Sequence, residues 1–171
     1  VTRDAGAELV ALCDVRPQEE LGIEAYPVPF FNTIEALLAA DLAIDVINIC
    51  VPNGLHAALA IQSLEAGHHV VIEKPMALTR TDAEAVLQTA LKQRREVFCV
   101  MQNRYSPPSV WIKELIVSGK LGQIYMVQLN CYWNRDARYY KPGGWHGDAA
   151  LDGGTLFTQF SHFILTAVGI P

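Results

Sequence analysis

Four short apolar runs, residues 8–13, 45–50, 70–73 and 97–101, recur along the chain, and stretches long enough for a helix separate the later ones. Strands spaced in this way pair through right-handed βαβ crossovers, which build a parallel, doubly wound sheet. The third run, Val70-Val71-Ile72, is β-branched throughout, as expected of a strand buried in a parallel sheet. Between the runs, Asn32 is placed to cap a helix over residues 33–39. A second helix, from His56 to Ala66, closes at Gly67, which suits the left-handed residue that ends many helices. Thr79, with Asp82 three positions on, is a near match to a capping box and opens a helix toward Arg94.

Beyond residue 106 the pattern changes. Pro107-Pro108 interrupts the chain, a helix runs to Ser118, and residues 119–122 turn it. Residues 124–133 read as a long strand, followed by a polar, aromatic loop over 134–152. The expected organisation is a dinucleotide-binding domain over residues 1–106, then the start of an α+β substrate and oligomerisation domain over 107–171.

Hydrophobic residues make up 51% of the 171 positions and charged residues 18%, enough for a real core and too few charges for a disordered chain. The net charge of -5, with its cations scattered, removes the electrostatic basis for nucleic-acid binding. No stretch has the length of a membrane span, so neither nucleic acid nor membrane is an expected partner. The four cysteines are far apart and match no zinc-ligand spacing, so no metal is expected. Three of them fall in apolar runs, where a free thiol behaves as a small buried hydrophobe, which suits a cytoplasmic protein.

In open α/β sheets ligands bind beyond the carboxyl ends of the strands, which is where Glu73-Lys74-Pro75 falls. Partial burial there lowers a lysine's pKa and lets it share a proton with a substrate oxygen; taken alone, Lys74 is equally a solvated turn lysine. Asp14 ends an early strand, where a carboxylate accepts hydrogen bonds from an adenosine ribose and repels a 2′-phosphate. That favours NAD over NADP, although a strand-ending aspartate is often a turn former and Arg16 keeps NADP open. The glycine-rich phosphate-binding turn belongs about 20 residues before such an aspartate, and the chain holds no GxGxxG. The expectation is a Rossmann-type sheet whose first βα unit is missing, with cofactor binding weak or absent.

Asp14 after the first run, Val51-Pro52-Asn53 with His56 after the second, Glu73-Lys74-Pro75 after the third and Gln102-Asn103-Arg104-Tyr105 after the fourth resemble the Gfo/Idh/MocA oxidoreductases. Cys131-Tyr132-Trp133-Asn134-Arg135 and residues 151–162 resemble, within that family, the dehydrogenases that oxidise C3 of UDP-N-acetylglucosaminuronic acid. The resemblance implies that Lys74 and His162 are catalytic and flank the sugar carbon. It also implies that Asp14, Val51, Pro52, Asn53, His56, Glu73, Lys74 and Gln102 serve NAD, and that the Lys74-Pro75 peptide is cis. The resemblance further implies that Arg104, Tyr105, Asn134, Arg135, Arg138, Tyr139, Thr158 and Gln159 join Lys74 and His162 on the substrate side, and that the full-length protein is expected to form homo-oligomers.

Thr158 stands where much of the family has an aspartate, four residues before the histidine, so the proton relay is open. Gln159 orients a hydroxyl or is an amide on a helix surface. The loop from Asn134 to Lys141, with Trp145 and His146, interleaves cations and aromatics, which suits an anionic nucleotide sugar, a solvated loop or a subunit contact. The other readings of the chain are an inositol or hexose dehydrogenase with a neutral substrate, and a dinucleotide binder without chemistry.

Overall fold

The computed structural model describes residues 6–168, with the side chains of the last helix followed to residue 164. Among the described residues five strands run in order: β1 (Leu12–Cys13), β2 (Phe30–Phe31), β3 (Val46–Ile49), β4 (His69–Ile72) and β5 (Val97–Cys99). All pairings are parallel, in two sheets of order β1-β2 and β3-β4-β5. The helices are α1 (Ile34–Ala39), α2 (His56–Glu65), α3 (Arg80–Gln93), α4 (Pro107–Val117), α5 (Thr155–Thr158) and α6 (Ser161–Val168). The expected α/β class with parallel βαβ units is what the chain adopts.

In β3 and β4 the alternate side chains Ile47, Ile49, Val70 and Ile72 turn to one face and meet Ala60 and Leu64 of α2 and Val86 and Ala90 of α3. Leu64, Val70, Ile72 and Val86 are fully buried, each contributing about 1.5–3 kcal/mol of transfer free energy. This core fixes the carboxyl ends of β3 and β4 side by side. Asn48 and Ile49 of β3 pair with Val71 and Ile72 of β4, and the Glu73 amide donates to the Ile49 carbonyl at 3.0 Å, so Lys74 leaves the sheet next to the Val51-Pro52-Asn53 loop.

Several boundaries differ from the expectation for physical reasons. The first run pairs only at Leu12–Cys13, because β2 offers two residues as its partner. Asn32 does not cap α1. Thr33 does, accepting from the Ala36 amide at 3.2 Å, while the Asn32 amide donates to the carbonyls of Asp14 and Arg16 and ties the two loops together. Residues 124–133 form no strand. A strand needs ladder hydrogen bonds to a neighbour, these residues pair with no strand among the described residues, and Tyr125, Met126 and Tyr132 stand exposed. The cysteines are not buried: Cys13 and Cys50 are exposed and Cys99 and Cys131 half-buried, since the runs that hold them end at the open edge of the sheet or, for Cys131, never become strand.

Candidate active site

The capping of α3 came out as the sequence reads: Thr79 Oγ1 accepts from the Asp82 amide and donates to its carboxylate at 2.6 Å. That fixes the exit of the Glu73-Lys74-Pro75 segment, whose Lys74-Pro75 peptide is cis. The Lys74 amide donates to the Glu73 carboxylate at 3.2 Å, and Lys74 Nζ donates to the Thr158 carbonyl. Partial burial pushes the Lys74 ammonium below its ordinary value, and the negative charges of Glu73 and Asp152 oppose that shift. His162 lies close enough for the Lys74 charge to act on it. Burial first, and Lys74 second, lower its pKa, with Glu73 opposing. Residues 88 positions apart in the chain thus share one electrostatic environment.

Cys50, Val51, Asn53, His56, Glu73, Lys74 and Trp145 enclose a cavity of about 190 Å³ at the carboxyl edge of β3 and β4. A wider depression of about 420 Å³ by Ile116, Val117 and residues 122–124 has no titratable side chain in its lining, which leaves the first as the candidate site. His56 is 1% exposed, with Nδ1 2.6 Å from the Pro75 carbonyl oxygen and Nε2 2.8 Å from that of Val51. Both ring nitrogens are committed to the wall, so His56 shapes the cavity without offering a polar atom to a ligand. Asn53, 4% exposed, donates its amide to the Asp152 carbonyl at 2.8 Å.

The segment from Ala150 onward is pressed onto this edge. Gly54 donates its amide to the Leu151 carbonyl at 2.9 Å, and a Cβ on Gly54 would stand 2.0 Å from the Ala150 oxygen. The Thr158 hydroxyl donates to the Gly154 carbonyl at 2.9 Å. Its proton is therefore spent locally, and it is the Thr158 main chain that meets Lys74. Gln159 is 6% exposed, which excludes the helix-surface alternative. It accepts from Arg135 Nε at 3.3 Å and bonds the Tyr139 hydroxyl. The Arg135 guanidinium lies 4.2 Å from the Trp133 ring centroid and 4.7 Å from that of Tyr139.

Arg138 stays apart, paired with Asp136 at 2.7 Å on an exposed surface, and Asn134 is exposed. Gln102, Arg104 and Tyr105 lie in a 3-10 turn over Gln102–Tyr105 that packs against α6, the helix of His162. Asp14 ends β1, and the Arg16 amide and guanidinium both donate to its carboxylate. Burial acts to raise the Asp14 pKa, but the Arg16 bonds outweigh it and hold the carboxyl below its ordinary value. Among the described residues no cluster of His, Cys, Asp or Glu could hold a metal ion, and no helix is long and apolar enough to cross a membrane. Sequence reasoning gave no role to Asp152, or to Trp145 beyond membership of an aromatic loop. The cues for Asp152 were its place before Gly153-Gly154 and within the 151–162 segment that carries the resemblance.

A family model described as "Oxidoreductase family, NAD-binding Rossmann fold" matches residues 1–101, and one described as "GFO/IDH/MocA C-terminal domain" matches 110–169. The crystal structure of the WlbA dehydrogenase from Bordetella pertussis in complex with NADH and UDP-GlcNAcA superposes with a TM-score of 0.86 at 34% identity. It covers 92% of this chain and 45% of that one. Inositol 2-dehydrogenase of Salmonella typhimurium is 34% identical over 72% of this chain and 38% of its own length. D-glucoside 3-dehydrogenase of Escherichia coli is 34% identical over 70% and 34% respectively. The chain thus spans less than half the length of these relatives.

Proposed function

The chain belongs to the Gfo/Idh/MocA oxidoreductase family, and from that premise we propose that it carries the cofactor and proton-handling groups of an NAD-dependent dehydrogenase acting on a sugar hydroxyl. The observation that carries the reading is the approach of α5 and α6 to Lys74, which sets an ammonium and an imidazole together beside the cavity at the sheet edge. The residues present fit a dinucleotide in part. Asp14 is placed for an adenosine ribose, while Val51, Pro52, Asn53, Glu73 and Lys74 line the neighbouring strand ends, and Gln102 follows β5. Bound NAD would supply the hydride acceptor.

The protein's own part is proton transfer and charge stabilisation. A base must reach the hydroxyl within about 3 Å. His162 takes that role, since the directions acting on it favour the neutral, accepting imidazole. Lys74 then donates to the oxygen as negative charge develops, where a pre-placed donor is worth about 10²–10³ in rate. Asp152 and Glu73 oppose loss of the Lys74 proton.

The substrate class follows from Arg135, which its two aromatic neighbours and Gln159 hold in place near α5. A guanidinium fixed in this way suits a carboxylate or phosphate, and the WlbA complex contains such a sugar, UDP-GlcNAcA. We therefore read the substrate as a UDP-linked N-acetyl uronic acid oxidised at C3, in a cytoplasmic homo-oligomer. A neutral polyol is the second reading, favoured by the ion pair that occupies Arg138 and by the inositol and glucoside relatives. Turnover of UDP-N-acetylglucosaminuronic acid beside myo-inositol and free glucosides separates the two. The first reading expects the conjugate alone to reduce NAD and Arg135→Ala to raise its KM; turnover of the neutral sugars alone overturns it.

A further inference from the structure

Asp152 takes no direct part in the chemistry above, yet it is 4% exposed and lies at the centre of the contacts that hold the 150–158 segment on the sheet edge. Its carbonyl accepts the Asn53 amide, and its Oδ2 accepts the Gly147 amide at 2.7 Å. Gly147, at φ 85°, ends the turn that carries Trp145 into the cavity. Oδ1 is buried without a hydrogen-bond partner. A buried carboxylate satisfied at one oxygen is costly unless a nearby positive charge compensates it. Lys74 stands within electrostatic reach, and the chain that follows Asp152 brings the Thr158 carbonyl onto its Nζ.

We propose that Asp152 is a positioning residue for Lys74, with one carboxylate oxygen fixing the Gly147 turn and the carboxylate charge holding the ammonium at the cavity. The inference deepens the dehydrogenase reading and rests on it only for its consequence in turnover. Lys74 faces Glu73 on its own segment, Asp152 and the Thr158 carbonyl on the docked segment, and His162 on α6; Asp152 faces Lys74 and Tyr139. Substitution of Asp152 leaves Glu73 and His162 in place and removes one influence that raises the Tyr139 pKa. Loss of its charge removes one of the two influences that oppose desolvation of Lys74, so Lys74 should give up its proton at lower pH.

The test is an NMR titration of the protein labelled with ¹³C at lysine Cε, which has five lysines in this chain, the Lys74 signal being assigned by its absence in Lys74→Arg. Asp152→Asn keeps an oxygen able to accept from Gly147 while removing the charge. The expected result is that Lys74 titrates at lower pH in Asp152→Asn than in the native protein, and that Asp152→Glu moves it back up. An unchanged Lys74 titration in a folded Asp152→Asn protein overturns the proposal, and Asp152→Ser serves the same comparison if the asparagine variant does not fold. Because the titration needs no substrate, it stands even if no sugar is turned over. In the active enzyme, the limb of the rate profile set by Lys74 moves to lower pH in Asp152→Asn, whereas a purely structural role would lower the rate at every pH.

Discussion

At Lys74 burial and charge act in opposite directions, and the balance between them decides whether the side chain can both donate to an oxygen and give up a proton. Removing it in Lys74→Ala should lower kcat/KM by about 10²–10³-fold, with the circular dichroism spectrum unchanged, since it contributes nothing to the apolar core. His162 gives a prediction with a sign. Burial and the Lys74 charge both disfavour the imidazolium, so the acid limb of the rate profile, where the base gains its proton, lies below the ordinary imidazole value. In Lys74→Met, one of those two influences is gone, and the His162 titration followed by NMR should move to higher pH. Residues whose placement follows from a strand end or helix start were legible in the sequence: Lys74, Asp14 and Thr79. The contacts of Asp152 and Gln159 were not, because they reach across long stretches of chain, 99 positions in the case of Asn53 and Asp152.

Among the elements, α3 shows what local sequence can specify. Its cap is written in four residues, and Thr79→Ala should cost about 1 kcal/mol of stability in urea unfolding, through loss of the bond to the Asp82 amide. The docking of residues 150–152 on Asn53 and Gly54 is a different kind of joint, made by close backbone approach. Gly54→Ala places a methyl against the Ala150 carbonyl and should destabilise by about 1–3 kcal/mol. The same substitution should weaken substrate binding, because the displaced segment carries the Thr158 carbonyl and leads into His162; a stability loss with an unchanged KM contradicts that coupling. Residues 124–133 mark where local reading fails. Their β-prone side chains allow a strand, but a strand is completed by hydrogen bonds to another, and the described residues supply none.

Over the whole molecule, βαβ order brings the ends of β3 and β4 together with loops from the far end of the chain, and the proposed chemistry lies where they meet. The alternation of apolar runs made the parallel fold legible, because the period of a buried strand and the length of a crossover are local properties. Where the loop from Asn134 to Asp152 would settle was not legible: it folds around Arg135 and Tyr139 and sends Trp145 into the cavity, while Arg138 remains on the surface. The central claim is that this edge oxidises a sugar hydroxyl through Lys74 and His162. The measurement that tests it most directly is formation of reduced nicotinamide from NAD and UDP-N-acetylglucosaminuronic acid by the protein as its gene encodes it, beside Lys74→Ala with cofactor binding measured in parallel. The expected result is turnover in the native protein and its loss in a variant that still binds NAD. Equal turnover in both proteins, or no turnover of any sugar by a native protein that binds NAD, would contradict it.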